Sequence, residues 1–410
     1  MKKSLILILL LSTITISKAD SWTQKNSFVG IGRVSAVSFS IGNKGYVGCG
    51  FNYATNSDLI DFWEYDQTTN SWTQMADLPG TGKEGAVGFT INGKGYVGTG
   101  YSADSMNFFE YNPSMNTWTV KANFPGARRA WATGFSIGNK GYIGCGYQQI
   151  NNDFYLRDFW VWDQTTNIWT EIDSLPGSQR YGAVGFSING KGYVSTGDFY
   201  NTYLNDTWEY NPLLNIWTQM ANFPGIGRAF AIGFAICNKG YLGGGLNQIM
   251  MDDFYLFDPI LNQWIQKVNA PNPLRKIQVS LAINNKGYIG LGYDSVYQNS
   301  FTDLLEYTPD SVCTTEIQEL SPHSLSLDIS PNPFHDKATL TIQGGSKNAL
   351  LNIYDINGQK VRSISTDNRQ EIIITRDNLA SGIYFYELKA VGITNPNQQA
   401  ILSSGKMVVE

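Results

Sequence analysis

The chain has 410 residues, of which 15% are charged and 13% aromatic, and it contains 42 glycines. It is therefore polar mainly through uncharged side chains, and its glycine content predicts many tight turns and closely spaced strands. A net charge of −5 with no dense Lys/Arg cluster excludes a general nucleic-acid-binding protein, which needs a basic face. The length allows two or three domains with a large core.

The N-terminus has the pattern of a secretory signal peptide. Lys2 and Lys3 precede an apolar stretch over 4–16, and Ser17-Lys18-Ala19 offers a cleavage site between small residues. This stretch is shorter than the ~20 residues that span a bilayer, which argues against a membrane anchor. No later segment is apolar enough to cross a membrane. We therefore expect export, with 1–19 removed.

An internal repeat organises most of the chain. The tripeptide Lys-Gly-Tyr occurs six times, 46 to 51 residues apart, with an Ile four positions before each Gly and a second Gly five positions after it. This spacing suits a four-stranded propeller blade. The six repeat glycines are Gly45, Gly95, Gly141, Gly192, Gly240 and Gly287.

Each repeat predicts four strands. The first has small residues at alternate positions, such as Ala183 and Gly185, as expected where the innermost strands crowd around a propeller axis. A turn such as Asn189-Gly190 gives a two-residue hairpin into the second strand. The third strand is aromatic and alternating, and after an Asx-rich turn a Trp begins the fourth.

These hallmarks resemble the kelch family: the Tyr of the second strand, the Gly that closes it, and the Tyr and Trp on either side of the third turn. The adjacent double glycine of that family survives only as Gly244-Gly245, so this is a divergent branch. The sixth repeat lacks a Trp strand, but 21–24 matches 71–74 and would complete it. The sequence thus predicts an all-β, six-bladed kelch-type propeller over 20–312, closed by an N-terminal strand.

A different β-domain follows a linker at 313–328. Short alternating strands over 329–410 predict a small β-sandwich. The segments 331–334, 351–358, 382–386 and 405–409 resemble the type IX secretion C-terminal sorting domain. That resemblance implies passage through the periplasm, contact of 329–410 with the secretion machinery, and a secreted or outer-cell-surface protein.

The sequence offers little for metal or cofactor chemistry. Both histidines, His323 and His335, lie beyond the propeller, which excludes a galactose-oxidase-like copper site, a His-based triad and ordinary catalytic zinc. We expect no cofactor and no metal. The four cysteines show no metal-binding spacing, and we interpret Cys49 and Cys145 as small buried apolar residues.

A cation stands twelve positions before each repeat glycine. In kelch geometry this position enters the innermost strand on the face with the long loops, so six cations could form a positive channel mouth that binds carboxylates or sulfates. We prefer a second interpretation, in which these cations brace neighbouring blades through hydrogen bonds to backbone carbonyls. A residue that is repeated in every blade more simply has a structural role. The six cations are Arg33, Lys83, Arg129, Arg180, Arg228 and Arg275.

The loops between the second and third strands vary from blade to blade. Their Tyr, Asn, Gln, Ser and Asp suit recognition of a glycan or a protein, although any exposed loop is polar. Glu84 and Asp198 break the repeat near the mouth and could act as acid/base groups, while solvated surface acids are the simpler interpretation. The loops are 52–59, 102–106, 148–157, 199–205, 247–252 and 294–302.

Three functions remain open at the sequence level. The first is a non-catalytic binding module for an extracellular glycan or protein. The second, implied by resemblance to a sialic-acid mutarotase, is an enzyme on sugar acids in which arginines hold the carboxylate and Glu84 or Asp198 moves protons. The third is a structural surface protein. The enzyme requires cations and acids to converge in a pocket, and fold alone decides none of these.

Overall fold

The computed structural model describes residues 19–148, 154–271, 275–294, 299–310, 326–343, 349–356, 359–366, 369–390 and 401–410. The predicted signal peptide lies outside the described residues except for Ala19, as does most of the predicted linker. The chain divides into two compact units, Met1–Cys313 and Thr314–Glu410. Among the described residues no helix is long and apolar enough to span a membrane.

The described part of the first unit contains six four-stranded antiparallel sheets, which we call blades 1–6 in the order of the repeats. The innermost strands are Val37–Ile41, Val87–Ile91, Thr133–Ile137, Val184–Ile188, Ile232–Ile236 and Val279–Ile283. The second strands are Lys44–Gly48, Lys94–Gly98, Lys140–Gly144, Lys191–Ser195, Lys239–Gly243 and Lys286–Gly290. The third strands are Phe62–Asp66, Phe108–Asn112, Phe159–Asp163, Thr207–Asn211, Phe254–Asp258 and Leu304–Thr308.

The outermost strand of blade 6 comes from the other end of the unit. Ser21–Lys25 pairs antiparallel with Leu304–Thr308, with Trp22 opposite Tyr307. This closes the ring by strand pairing and covers an edge that would otherwise be open. The outermost strands of blades 1–5 are Ser71–Met75, Thr117–Lys121, Ile168–Ile172, Ile216–Met220 and Gln263–Lys267.

The core lies between the blades. Six separate hydrophobic clusters each join residues of two neighbouring blades, including one between blades 6 and 1. The repeated Gly of Lys-Gly-Tyr is explained by this packing. A Cβ on Gly95 would overlap the ring of Phe39 from the preceding blade, and Leu281 of blade 6 takes the same place against Gly45. The predicted all-β propeller architecture is thus confirmed.

Some of the described connections between second and third strands contain a short hairpin whose two strands are each two residues long. Because strands alternate in direction, these loops and the cation positions share one face, which we call the loop face, while the third-to-fourth turns lie on the opposite face. The hairpins are Phe51–Asn52 with Ser57–Asp58, Tyr147–Gln148 with Phe154–Tyr155, Asp198–Phe199 with Thr202–Tyr203, Leu246–Asn247 with Ile249–Met250, and Tyr293–Asp294 with Asn299–Ser300.

The second unit contains a three-stranded and a four-stranded sheet around one apolar core. The C-terminal strand contacts the Pro331-Asn332-Pro333-Phe334 segment: Asn332 Oδ1 accepts from Val408 N at 2.8 Å, and Phe334 forms a parallel bridge with Val409. Its strands are Ser326–Ser330, Lys337–Gln343, Ala349–Tyr354, Lys360–Ser365, Glu371–Thr375, Gly382–Ala390 and Ile401–Val409.

Candidate functional site: the loop face of the propeller

The six repeated cations are buried and paired. Each side chain is at most 3% exposed and forms a salt bridge with an aspartate of its own blade. Five of these aspartates directly precede the third strand. The pairs are Arg33–Asp61, Lys83–Asp104, Arg129–Asp158, Arg180–Asp206, Arg228–Asp253 and Arg275–Asp303.

The arginine geometry repeats from blade to blade. In blade 4, Arg180 donates to both carboxylate oxygens of Asp206 at 2.6 and 2.7 Å, and to the carbonyl oxygens of Ser178 and Thr196 at 3.0 Å. Burial raises the pKa of the Asp206 carboxyl, but the hydrogen bonds and charge of Arg180 outweigh burial and hold that pKa below its usual value. Such bidentate, charge-assisted bonds are strong and geometrically specific.

The same residues connect neighbouring blades through their backbone. The carbonyl oxygen of Arg180 accepts a hydrogen bond from Gly146 N of blade 3 at 2.8 Å, and that of Arg33 accepts from Gly292 N of blade 6 at 3.3 Å. The geometry therefore runs against a positive, ligand-binding mouth, because each charge is neutralised and shielded from solvent. It also differs from the bracing expected from the sequence, because the Arg180 side chain bonds Thr196 and Asp206 of its own blade and only its backbone carbonyl links to the neighbouring blade.

Two residues after each cation, the chain approaches the axis with positive φ. We call these residues the axial ring. From Ser35 to Phe230, consecutive members are hydrogen-bonded through the backbone, as from Trp131 N to the Gly85 carbonyl at 2.8 Å and from Gly182 N to the Trp131 carbonyl at 2.9 Å. The axial ring consists of Ser35, Gly85, Trp131, Gly182, Phe230 and Ile277, with φ from 49° to 64°.

Trp131 and Phe230 cap the axial channel on the loop face. The Trp131 indole lies over Gly85 and donates from Nε1 to Ser35 Oγ at 3.2 Å, while the Phe230 ring lies over Gly182. The two ring centroids are 6.2 Å apart. Below the cap, the predicted small residues of the innermost strands line a channel of about 170 Å³.

Glu84 and Asp198 do not converge with the cations. Glu84 Oε1 accepts from Ser35 Oγ at 3.1 Å, and burial, with a smaller contribution from Asp58, raises the pKa of its carboxyl. Asp198 is 3% exposed and hydrogen-bonded to Tyr181, and burial raises its pKa as well. Neither forms a salt bridge with a repeated cation in the part of the chain that the structure describes. This geometry does not assemble the acid, base and arginine set that the enzyme hypothesis requires.

The exposed aromatic rings of the described propeller unit lie on the loop face. Among the described residues of the propeller unit, four aromatic side chains are exposed, and each belongs to a second-to-third-strand loop of a different blade. We call them the aromatic rim: Tyr53, Tyr101, Phe154 and Tyr200, which are 48–56% exposed in blades 1–4.

Sequence reasoning missed two features of this face. The aspartate partners follow their repeat glycines at variable distances, 16 residues for Asp61 but 13 for Asp253, yet both stand eleven residues before the Trp of the fourth strand, and that fixed spacing could have identified them. Trp131 was overlooked although it occupies a position held by a small residue in the next blade on either side, Gly85 and Gly182. Such a break in a repeat was the available signal.

No group of three or more potential metal-ligating His, Cys, Asp or Glu side chains occurs among the described residues. Cys49 and Cys145 are free and buried, as interpreted from the sequence. Cys237 is disulfide-bonded.

Comparison with known proteins agrees with this architecture. A family model described as the KLHDC2/KLHL20/DRC7 Kelch-repeats domain matches residues 91–292, and a model described as the secretion system C-terminal sorting domain matches residues 328–401. The chain carries a kelch-repeat propeller and a type IX secretion sorting domain. It is therefore a propeller protein destined for secretion or the cell surface.

The remaining comparisons support the fold and no specific function. The search of curated proteins found no match to this kelch propeller chain. Many solved structures match. One, titled "Structure of YjhT", is 17% identical, covers 68% of this chain and 95% of its own, and superposes with a TM-score of 0.57. At that identity, the likeness supports the propeller architecture and no specific activity.

Proposed function

We propose that the kelch propeller is a non-catalytic binding module for an extracellular glycan, delivered across the cell envelope by a cleaved signal peptide and the sorting domain. The aromatic rim carries this proposal. Four exposed rings lie on the loop face of four consecutive blades, where sugar rings can stack on aromatic faces.

The polar groups around the rim favour a glycan over a protein. Protein interfaces usually centre on a contiguous, well-packed apolar patch. Two rim rings pack against neighbouring rings, Tyr53 against Tyr293 and Tyr200 against Tyr155, at 4.7 and 4.2 Å between centroids, but Asn, Ser and Thr side chains lie in the same loops. Aromatic faces beside hydrogen-bonding groups suit a chain of polar sugar units.

The test is a glycan-array screen of the mature chain, residues 20–410, beside a Tyr53→Ala/Tyr200→Ala double variant. We expect binding by the parent and a loss of about two- to tenfold in affinity per ring removed. Leu213→Ala is the matched control, because it removes an exposed apolar side chain (92% exposed) from the opposite face. Absence of glycan binding, with capture of a protein partner that depends on the rim, would replace the glycan with a protein.

A further inference from the structure

A cleft between blades 2 and 3 lies beside the aromatic rim. It has a volume of about 60 Å³. A water molecule needs about 10–15 Å³ of such space, so the cleft can admit a carboxylate group. Its lining includes Tyr101, Ser105, Arg128 and Tyr147.

Arg128 is a cation outside the repeated buried ion pairs. Its neighbour Arg129 is buried against Asp158, whereas Arg128 is exposed and donates from Nη1 to the Ala103 carbonyl at 3.3 Å. Among the described residues, that is its one hydrogen bond and it has no carboxylate partner. The corresponding positions of blades 1, 2, 4 and 5 carry no charge: Gly32, Gly82, Gln179 and Gly227.

Ser105 supplies a second polar group without a partner. Its side chain is 4% exposed, and its Oγ is buried with no hydrogen-bond partner in the described structure. A buried hydroxyl without a partner costs free energy that a bound acceptor would recover. Nearby Asp104 does not cancel the positive charge of Arg128, because it is already paired with Lys83 at 2.9 Å.

We infer that this cleft binds the carboxylate of an acidic sugar, with Arg128 and Ser105 as donors and Tyr101 as the stacking face. The planar guanidinium matches a carboxylate with two parallel hydrogen bonds. Tyr101 is 52% exposed at the edge of the cleft, where the ring of the same sugar can stack on it. This inference rests on the proposed glycan-binding function and specifies its ligand class.

The experiment measures binding of the mature chain to tri-galacturonate and to its methyl ester, which keeps the sugar rings but removes the charge. We expect the acid to bind about tenfold more tightly than the ester, as a charge-assisted pair would give. Arg128→Gln should lower affinity for the acid to that for the ester. Ser105→Ala should lower it by about threefold to fivefold, as loss of one hydrogen bond gives.

Arg157→Gln is the matched control, since Arg157 is also exposed on blade 3 but does not line the cleft. Equal affinity for acid and ester, or equal effects of Arg128→Gln and Arg157→Gln, would overturn the inference while leaving glycan binding intact. A preference for a sulfated over a uronate glycan on the array would overturn the carboxylate assignment. Binding to no glycan at all would instead remove the proposed function itself, and the inference with it.

Discussion

The indole Nε1 of Trp131 in blade 3 donates a hydrogen bond to Ser35 Oγ in blade 1, at 3.2 Å, across the intervening blade. Ser35 in turn donates to Glu84 of blade 2 at 3.1 Å. Three blades are thus connected at the axis by one chain of side-chain hydrogen bonds, in addition to the backbone bonds of the axial ring. The Trp131 side chain of the cap is therefore held in place by hydrogen bonds to the rest of the propeller.

Gly85→Ala should destabilise the propeller by displacing this cap. Gly85 has φ +64°, and a Cβ there would lie 2.7 Å from Trp131 Cδ1 and 2.8 Å from its Nε1. We expect a loss of about 1–3 kcal/mol in the free energy of unfolding, measured by urea denaturation. Gly93→Ala is the control, because it has φ +72° but nothing within 4 Å of the added carbon. Equal losses would show that backbone strain alone is responsible.

The two free cysteines should be unreactive in the folded protein. Burial raises the pKa of both the Cys49 and Cys145 thiols to about 12, although nearby cations oppose it. At pH 8 the reactive thiolate is then only about one part in ten thousand. Ellman's reagent should react with them only after unfolding in urea, and a Cys49→Ala/Cys145→Ala variant identifies their share of the signal. Rapid reaction in the native state would contradict the burial.

The sequence predicts the fold well because each blade repeats the same local rules. Lys-Gly-Tyr marks every second strand, and Trp22 reveals the closing strand through its match to Trp72. The side-chain pairs are harder to predict, since the sequence shows a repeated Asp206 position before the third strand but not that folding brings it against Arg180. The orientation of the Trp131 side chain depends on the space left by Gly85 in another blade. The cap could therefore be recognised only in the assembled propeller.

Trp22→Ala should weaken ring closure. The Trp22 ring lies 5.2 Å from Phe254 and 5.0 Å from Tyr307 between centroids, and its Nε1 donates to the Val268 carbonyl at 3.1 Å. Because the side chain is only half-buried, we expect a loss of about 2 kcal/mol, measured from the urea midpoint. Thr23→Ala, on an exposed position of the same strand, should change little. An unchanged midpoint for Trp22→Ala would mean that this strand contributes little to closure.

The buried ion pairs should make the propeller sensitive to acid. The pKa values of Asp61, Asp158 and Asp206 are raised by burial but lowered further by their arginines, so the net shift is downward. A carboxyl with a lowered folded-state pKa contributes stability that is fully present above the unfolded-state value of about 4 and is lost as pH falls through the folded-state value. The urea midpoint should therefore be steady near neutrality and fall below about pH 4.

Asp206→Asn isolates one of these pairs. At pH 7 it leaves the buried Arg180 without a countercharge, so we expect a loss of about 3–5 kcal/mol. The difference in the free energy of unfolding between the variant and the parent should decrease as pH falls, because protonation of Asp206 removes the same negative charge from the parent protein. Asp77→Asn makes the same chemical change at an exposed position and should follow the parent throughout. If the difference in the free energy of unfolding between Asp206→Asn and the parent stays constant from pH 7 to pH 3, the Arg180–Asp206 charge pair does not cause the loss of stability in acid.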